Sequence, residues 1–124
     1  MHERPRLIAL VQDEGPAIFA FLLTAGFDGP ERTANGIAYH RNGLRVEIGH
    51  HGGHEPEVGT VVVRGERRDL LGDLYVAAGH GPAQDVPSSA HSLALTRKRL
   101  HQHAAALGRV LRDEAVGGRP ASTS

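Results

Sequence analysis

The sequence contains no cysteine. That excludes a disulfide framework, a thiolate metal site and a cysteine nucleophile. Tryptophan is also missing and aromatic residues make up only 4% of the chain, so leucine, valine, isoleucine and alanine must fill most of any core. No run of about 18 apolar residues occurs, which leaves no candidate membrane helix. Arg4 and Arg6 precede the apolar stretch 7–11, but Gln12, Asp13 and Glu14 interrupt it and no small-residue cleavage site follows. This is not the order of parts of a signal peptide, and the expected location is cytoplasmic. An excess of one charge is lacking as well. Fourteen basic and fourteen acidic residues give a net charge of zero, so no global field draws the chain to nucleic acid or to an anionic membrane. The motifs G-x-S-x-G, H-E-x-x-H, the P-loop and G-x-G-x-x-G are all absent.

What remains is 124 residues, 40% of them apolar, enough for one domain around one core. Leu7, Leu10, Val11, Ile18, Phe21, Leu22 and Ala25 recur at a helical period and predict a first helix over about 6–25. Gly15-Pro16 interrupts it, either as a kink or as the start of a fresh helix. Gly26 suits a left-handed stop, with Phe27 packing back behind it.

Asn42-Gly43 between 36–41 and 44–49 is a two-residue hairpin signal. Such a turn pairs Arg41 with Leu44, Tyr39 with Val46 and Ile37 with Ile48. Ile37, Tyr39, Leu44, Val46 and Ile48 then share one face, and Ala38, His40, Arg45 and Glu47 share the other. A third strand is predicted at 58–63. Asp69 is a candidate cap for a short helix carrying Leu70, Leu71, Leu74, Tyr75 and Ala78, ended by Gly79. A last helix over about 89–115 buries Leu93, Thr96, Leu100, Ala104, Leu107 and Leu111, with Lys98, Gln102, Arg109, Arg112 and Asp113 on its wet side. Gly117-Gly118 is its expected stop, which gives a domain over 1–118 and a disordered tail over 119–124. The expected fold class is α+β, of order α-β-β-β-α-α: an antiparallel meander with helices packed on one face.

His50, His51 and His54 with Glu55 form the densest cluster of metal-ligating side chains. Strand geometry sets His50 on the face of Val46 and Ile48 and His51 on the opposite one, so only one of the pair can join His54 without a bulge. His101 and His103 diverge by roughly 200° on a helix and cannot chelate one ion, so they are expected as flanking, partly solvated residues. Arg97-Lys98-Arg99 with Arg109 and Arg112 gives the last helix a basic outer surface, without the interleaved aromatics of a nucleic-acid site. His40 and Glu47 on the hairpin's outer face are a candidate acid–base pair, or a commonplace cross-strand polar pair.

His54, Glu57 and Gly65, followed by Gly79, Pro87 and His91, resemble the two cupin motifs. That resemblance implies a metal-dependent enzyme or metal-binding protein in a double-stranded β-helix, with His51, His54 and Glu57 as the ligand set. His51 and His54 are separated by two residues where the motif has one, the spacing from Pro87 to His91 is short, and both ends of the chain read as helices.

Phe21-Leu22-Leu23 with Gly26-Phe27, then Ile37-Ala38-Tyr39, Val46-Glu47-Ile48 and a closing amphipathic helix, resemble small bacterial α+β proteins, among them immunity proteins of polymorphic toxins. The likeness spans about residues 7–111 and is architectural. It implies protein binding rather than catalysis, no cofactor and no catalytic residue. The expected partner is a protein, a toxin in the immunity-like case, and neither nucleic acid nor membrane. The expected contact residues are His40, Arg45, Glu47, Lys98 and Arg109. A homodimer is the third reading.

Overall fold

The structure is a computed structural model that describes residues 3–52 and 55–123, with side chains described for 5–52 and 55–112. Two helices, α1 (Glu3–Ile18) and α2 (Phe21–Thr24), lead into five strands: β1 (Asp28–Arg32), β2 (Gly36–Arg41), β3 (Leu44–His51), β4 (Glu57–Arg64) and β5 (Arg67–Leu70). Helix α3 (Leu71–Ala77), a 3-10 turn at Ala83–Asp85 and the long α4 (Leu93–Thr123) complete the chain. The strands form one antiparallel meander in the order β1-β2-β3-β4-β5. Helix α1 packs on β2 and β3, α4 packs on α1 and β4, and α3 packs on α4. The α+β class and the helix-covered meander follow the sequence pattern. The double-stranded β-helix implied by the cupin likeness is not the fold.

The central hairpin has the expected register: Arg41 faces Leu44, Tyr39 faces Val46 and Ile37 faces Ile48. Asn42 (φ 45°) and Gly43 (φ 80°) both take positive φ, as a two-residue turn matched to strand twist requires. Ile37, Tyr39, Leu44, Val46 and Ile48 are all buried. Burial without water pushes the Tyr39 hydroxyl up to about 12, so the ring stays neutral. Gly26 ends α2 in the left-handed region, with the Phe27 N–H bonded to Leu22 O at 2.9 Å and the Gly26 N–H to Leu23 O at 3.1 Å. These are the paired bonds of a Schellman stop, and Phe27 is buried behind it as predicted.

Several expectations are corrected. Residues 6–25 are not one helix. Pro16 lies inside α1, which ends at Ile18, and the Leu22 and Leu23 amides bond three residues back, to Phe19 O and Ala20 O. This tighter winding shifts the helical phase, so Phe19 is fully buried while Ile18 and Phe21 are only partly so. Gly15 lets α1 lie close to the sheet, since a Cβ there would stand 2.8 Å from Ile37 Cδ1.

The meander has five strands rather than three. Asp69 is not a helix cap but part of β5, and the residue before α3 is Leu70, with no side-chain cap. Helix α4 starts later than expected, where the Leu95 N–H bonds the Ser92 hydroxyl at 3.1 Å. It runs to Thr123, past Gly117-Gly118. Glycine costs about 1 kcal/mol in a helix but does not forbid one. Leu100, Leu107 and Leu111 are buried, while Lys98 and Arg109 are exposed. His103, expected to be partly solvated, is 3% exposed and belongs to the core side of α4.

Candidate functional site on the open face of the sheet

Both long helices lie on the face carrying Tyr39, Val46 and Val62. The other face is made by the alternate residues: Ala38 and His40 on β2, Arg45, Glu47 and Gly49 on β3, Gly59, Val61 and Val63 on β4, Arg68 and Leu70 on β5. Its charged side chains form one connected network. His40 Nε2 donates to Glu31 Oε1 at 2.7 Å, and Arg45 Nη1 donates to the same oxygen at 3.2 Å. Arg45 Nε donates to Glu47 Oε2 at 2.6 Å, and Arg68 Nη2 donates to Glu47 Oε1 at 2.9 Å. With its proton on Nε2 toward Glu31, His40 cannot also accept from Arg45 Nη1, 2.8 Å away, so the carboxylate holds the two donors together.

The network draws its residues from four strands and spans all five. Glu31 from β1 reaches Arg45 on β3 over β2, and Arg68 from β5 reaches Glu47 over β4. Ala38 sits between its register partners Glu31 and Glu47 and is fully buried beneath the network, not exposed as the open-face reading expected.

The local electrostatics match this geometry. The His40 bond first, and the Arg45 bond next, hold the Glu31 carboxyl below the usual carboxylate range. Burial works to raise Glu47, but the Arg45 and Arg68 guanidinium groups outweigh it and leave its carboxyl lowered. Arg45 is raised, most strongly by its bond to Glu47. Such solvent-exposed pairs add little to folding, so the network orders charge more than it stabilises the fold.

Beside it lies a hollow of about 250 Å³ bounded by Asn35, Glu47, His51, Val61 and Arg68. Gly49 and Gly59 are register partners and form its floor. A Cβ at Gly49 would press on Asn35, and one at Gly59 on the His51 ring, so both glycines admit a close neighbour. The Asn35 loop is pinned there: Asn35 O accepts the His50 N–H at 2.9 Å, and Asn35 Nδ2 donates to His50 O at 3.3 Å.

His40, Arg45 and Glu47 are therefore brought together, although His40 pairs with Glu31 and not with Glu47. Lys98 and Arg109 stand apart from them, on α4 beyond the opposite face. The basic run on α4 is partly neutralised. Arg97 makes two bonds to Glu14, at 2.7 and 2.9 Å, and Arg99 bonds Ser89 O at 2.8 Å and Gln102 at 3.0 Å. His51 and Glu57 are register partners on the open face, whereas His50 is buried on the other. His54 lies outside the described residues. Among the described residues no group of three His, Asp or Glu is placed to hold a metal ion. Among them, too, no helix is long and apolar enough to cross a membrane.

Sequence reasoning missed Glu31 and Arg68 because it missed their strands. For β5 a signal existed: Gly65-Glu66 between Arg64 and Arg67 is a two-residue loop with positive φ at Gly65, the pattern of a Gly-X hairpin. For β1 there was none, since all five of its residues are exposed and show no alternation.

No protein-family model matches the chain, and no curated protein or solved structure matches it.

Proposed function

We propose that this chain is a non-enzymatic binding protein that docks a protein partner on the open face of its sheet, in an immunity-like role with a toxin as the partner. The supporting observation is the charge network of Glu31, His40, Arg45, Glu47 and Arg68, held in place on a face that neither long helix covers. Around it lie the partly exposed Val61 and Val63 and the 56% exposed Leu70. Mixed polar and apolar surface of this kind suits a specific, hydrated interface. Fixed charges favour the right partner through complementary potential and oppose wrong ones.

The test is a binding assay against any toxin candidate found encoded beside this chain's gene. Arg45→Glu and Glu47→Arg should each weaken binding about tenfold or more while circular dichroism stays unchanged. Lys98→Glu and Arg109→Glu, on the helical side, should change it little. A partner held equally well by the Arg45→Glu and Glu47→Arg variants, or lost in the Lys98→Glu variant, would place the interface elsewhere. No binding at all would remove the immunity-like reading.

A further inference from the structure

Residues 86–90 link the 3-10 turn to α4 and contain no strand, only a single bridge between Ser89 and Glu57. Yet four successive carbonyls are each held from elsewhere. Pro87 O accepts from His103 Nε2 at 2.8 Å, and Ser88 O from the Val58 N–H at 2.8 Å. Ser89 O accepts from Arg99 Nε at 2.8 Å, and Ala90 O from His50 Nε2 at 2.7 Å. The Ala90 N–H bonds Pro56 O at 2.9 Å. This segment covers the leading edge of β4, which β5 leaves bare, because the β5 pairing ends at Val61 with Leu70.

Arg99 and His103 are the two ties from α4, and of these His103 is the one that can titrate near neutral pH. A carbonyl only accepts, so the ring proton sits on Nε2, facing Pro87 O. Nδ1 then accepts from the Thr60 hydroxyl at 2.8 Å. A second proton on Nδ1 would require the Thr60 hydroxyl to turn and accept, and it would place a cation in a site that is 3% exposed, where burial rather than a lost hydrogen bond opposes the charge. The charged groups around it give a cation little help. Arg99, one turn earlier on α4, is of like charge. Glu57 and His51 on the strands and Asp73 on α3 line the rim of a hollow of about 260 Å³ that reaches the ring. Asp85 in the connection is engaged by the Tyr75 hydroxyl at 3.0 Å.

We propose that residues 86–90 form an acid-released strap, in which protonation of His103 loosens the segment from α4 and uncovers the edge of β4 at 57–60. Burial above all holds the folded imidazole below its ordinary range; Arg99 adds to this and the Pro87 carbonyl opposes it. In the released form the ring is solvated and titrates near its ordinary value, about 6.5. Release is therefore favoured as pH falls below about 6.5, by up to about tenfold per pH unit for one proton, and levels off once the strapped ring itself titrates.

Amide hydrogen exchange of the full chain, corrected for the intrinsic pH dependence of exchange, tests this. Protection of the Val58 and Ala90 amides should fall by up to about fivefold from pH 6.5 to 5.5, while Tyr39 and Val46 in the hairpin hold theirs. His103→Gln keeps an N–H for Pro87 O but cannot titrate, and should abolish the pH response. A wild-type response shared equally by Tyr39 and Val46, no response at all, or an unchanged response in His103→Gln would overturn the proposal. Should His103→Gln fail to fold, ring titration by NMR in the wild type decides. Val58 protection that begins to fall near pH 6.5 and levels off where the His103 ring inflects, at lower pH, supports the strap; a ring inflection at or above about 6.5, or a loss of protection that continues well below the ring's inflection, sinks it.

Discussion

The two faces of the sheet are built from alternate residues of the same strands, yet they are held by different physics. On the helix-covered face Tyr39, Val46, Ile48 and Val62 are each at most 1% exposed, and removal of apolar surface from water supplies the stabilisation. On the open face His40, Arg45, Glu47 and Arg68 are linked through carboxylates that solvent still reaches, where each pair contributes little. The first face should govern whether the chain folds, and on the function proposed above the second governs what it meets. A backbone that alternates its side chains can thus carry two roles without either compromising the other.

The sharpest way to break this contrast is to open a hole on the covered side. Leu107, fully buried on α4, should cost about 2–5 kcal/mol when changed to alanine, read by denaturant unfolding. A loss below about 0.5 kcal/mol would place α4's contribution at the level of an ordinary surface residue and erase the distinction. A smaller effect is expected at the turn that sets both faces in register. Gly43→Val should destabilise by about 1 kcal/mol or more, because a β-branched residue resists the observed φ of 80°. A neutral result would mean that the register is fixed by the faces alone.

The smallest stability effect belongs to the open face. A double-mutant cycle on Arg45→Ala and Glu47→Ala should give a coupling of about 0.2–1 kcal/mol at pH 7. Both Glu31 and Glu47 have lowered folded pKa values. Their contribution is therefore complete above the ordinary carboxylate value of about 4.3 and is lost as pH falls through the folded values. The same cycle near pH 2.5 should show the coupling reduced. Coupling of several kcal/mol at pH 7, or coupling that grows on acidification, would show that the network is part of the structural core.

The hairpin at Asn42-Gly43, the stops at Gly26 and Gly79 and the buried stripe through Leu100, Leu107 and Leu111 were legible in the sequence. Each rests on local rules: positive φ at a turn, a left-handed residue after a helix, a period of 3.6. Of the candidate contact residues, His40, Arg45 and Glu47 were legible as a group because alternation alone puts them on one side. Their partners Glu31 and Arg68 were not, because β1 and β5 are polar edge strands. Edge strands form by pairing with a neighbour that is already in place, and their own residues need no apolar period. His103 eluded the sequence for a related reason. Helical phase places it beside Leu100 and Leu107, but only the crossing of residues 86–90 over β4 supplies the Thr60 hydroxyl and the Pro87 carbonyl that let an imidazole be buried. Local sequence thus determined the elements that can be specified by their own φ, ψ and period. The tertiary structure alone decided which polar groups find partners, because hydrogen bonds between Glu31 and His40 or Thr60 and His103 join residues whose proximity no local rule encodes.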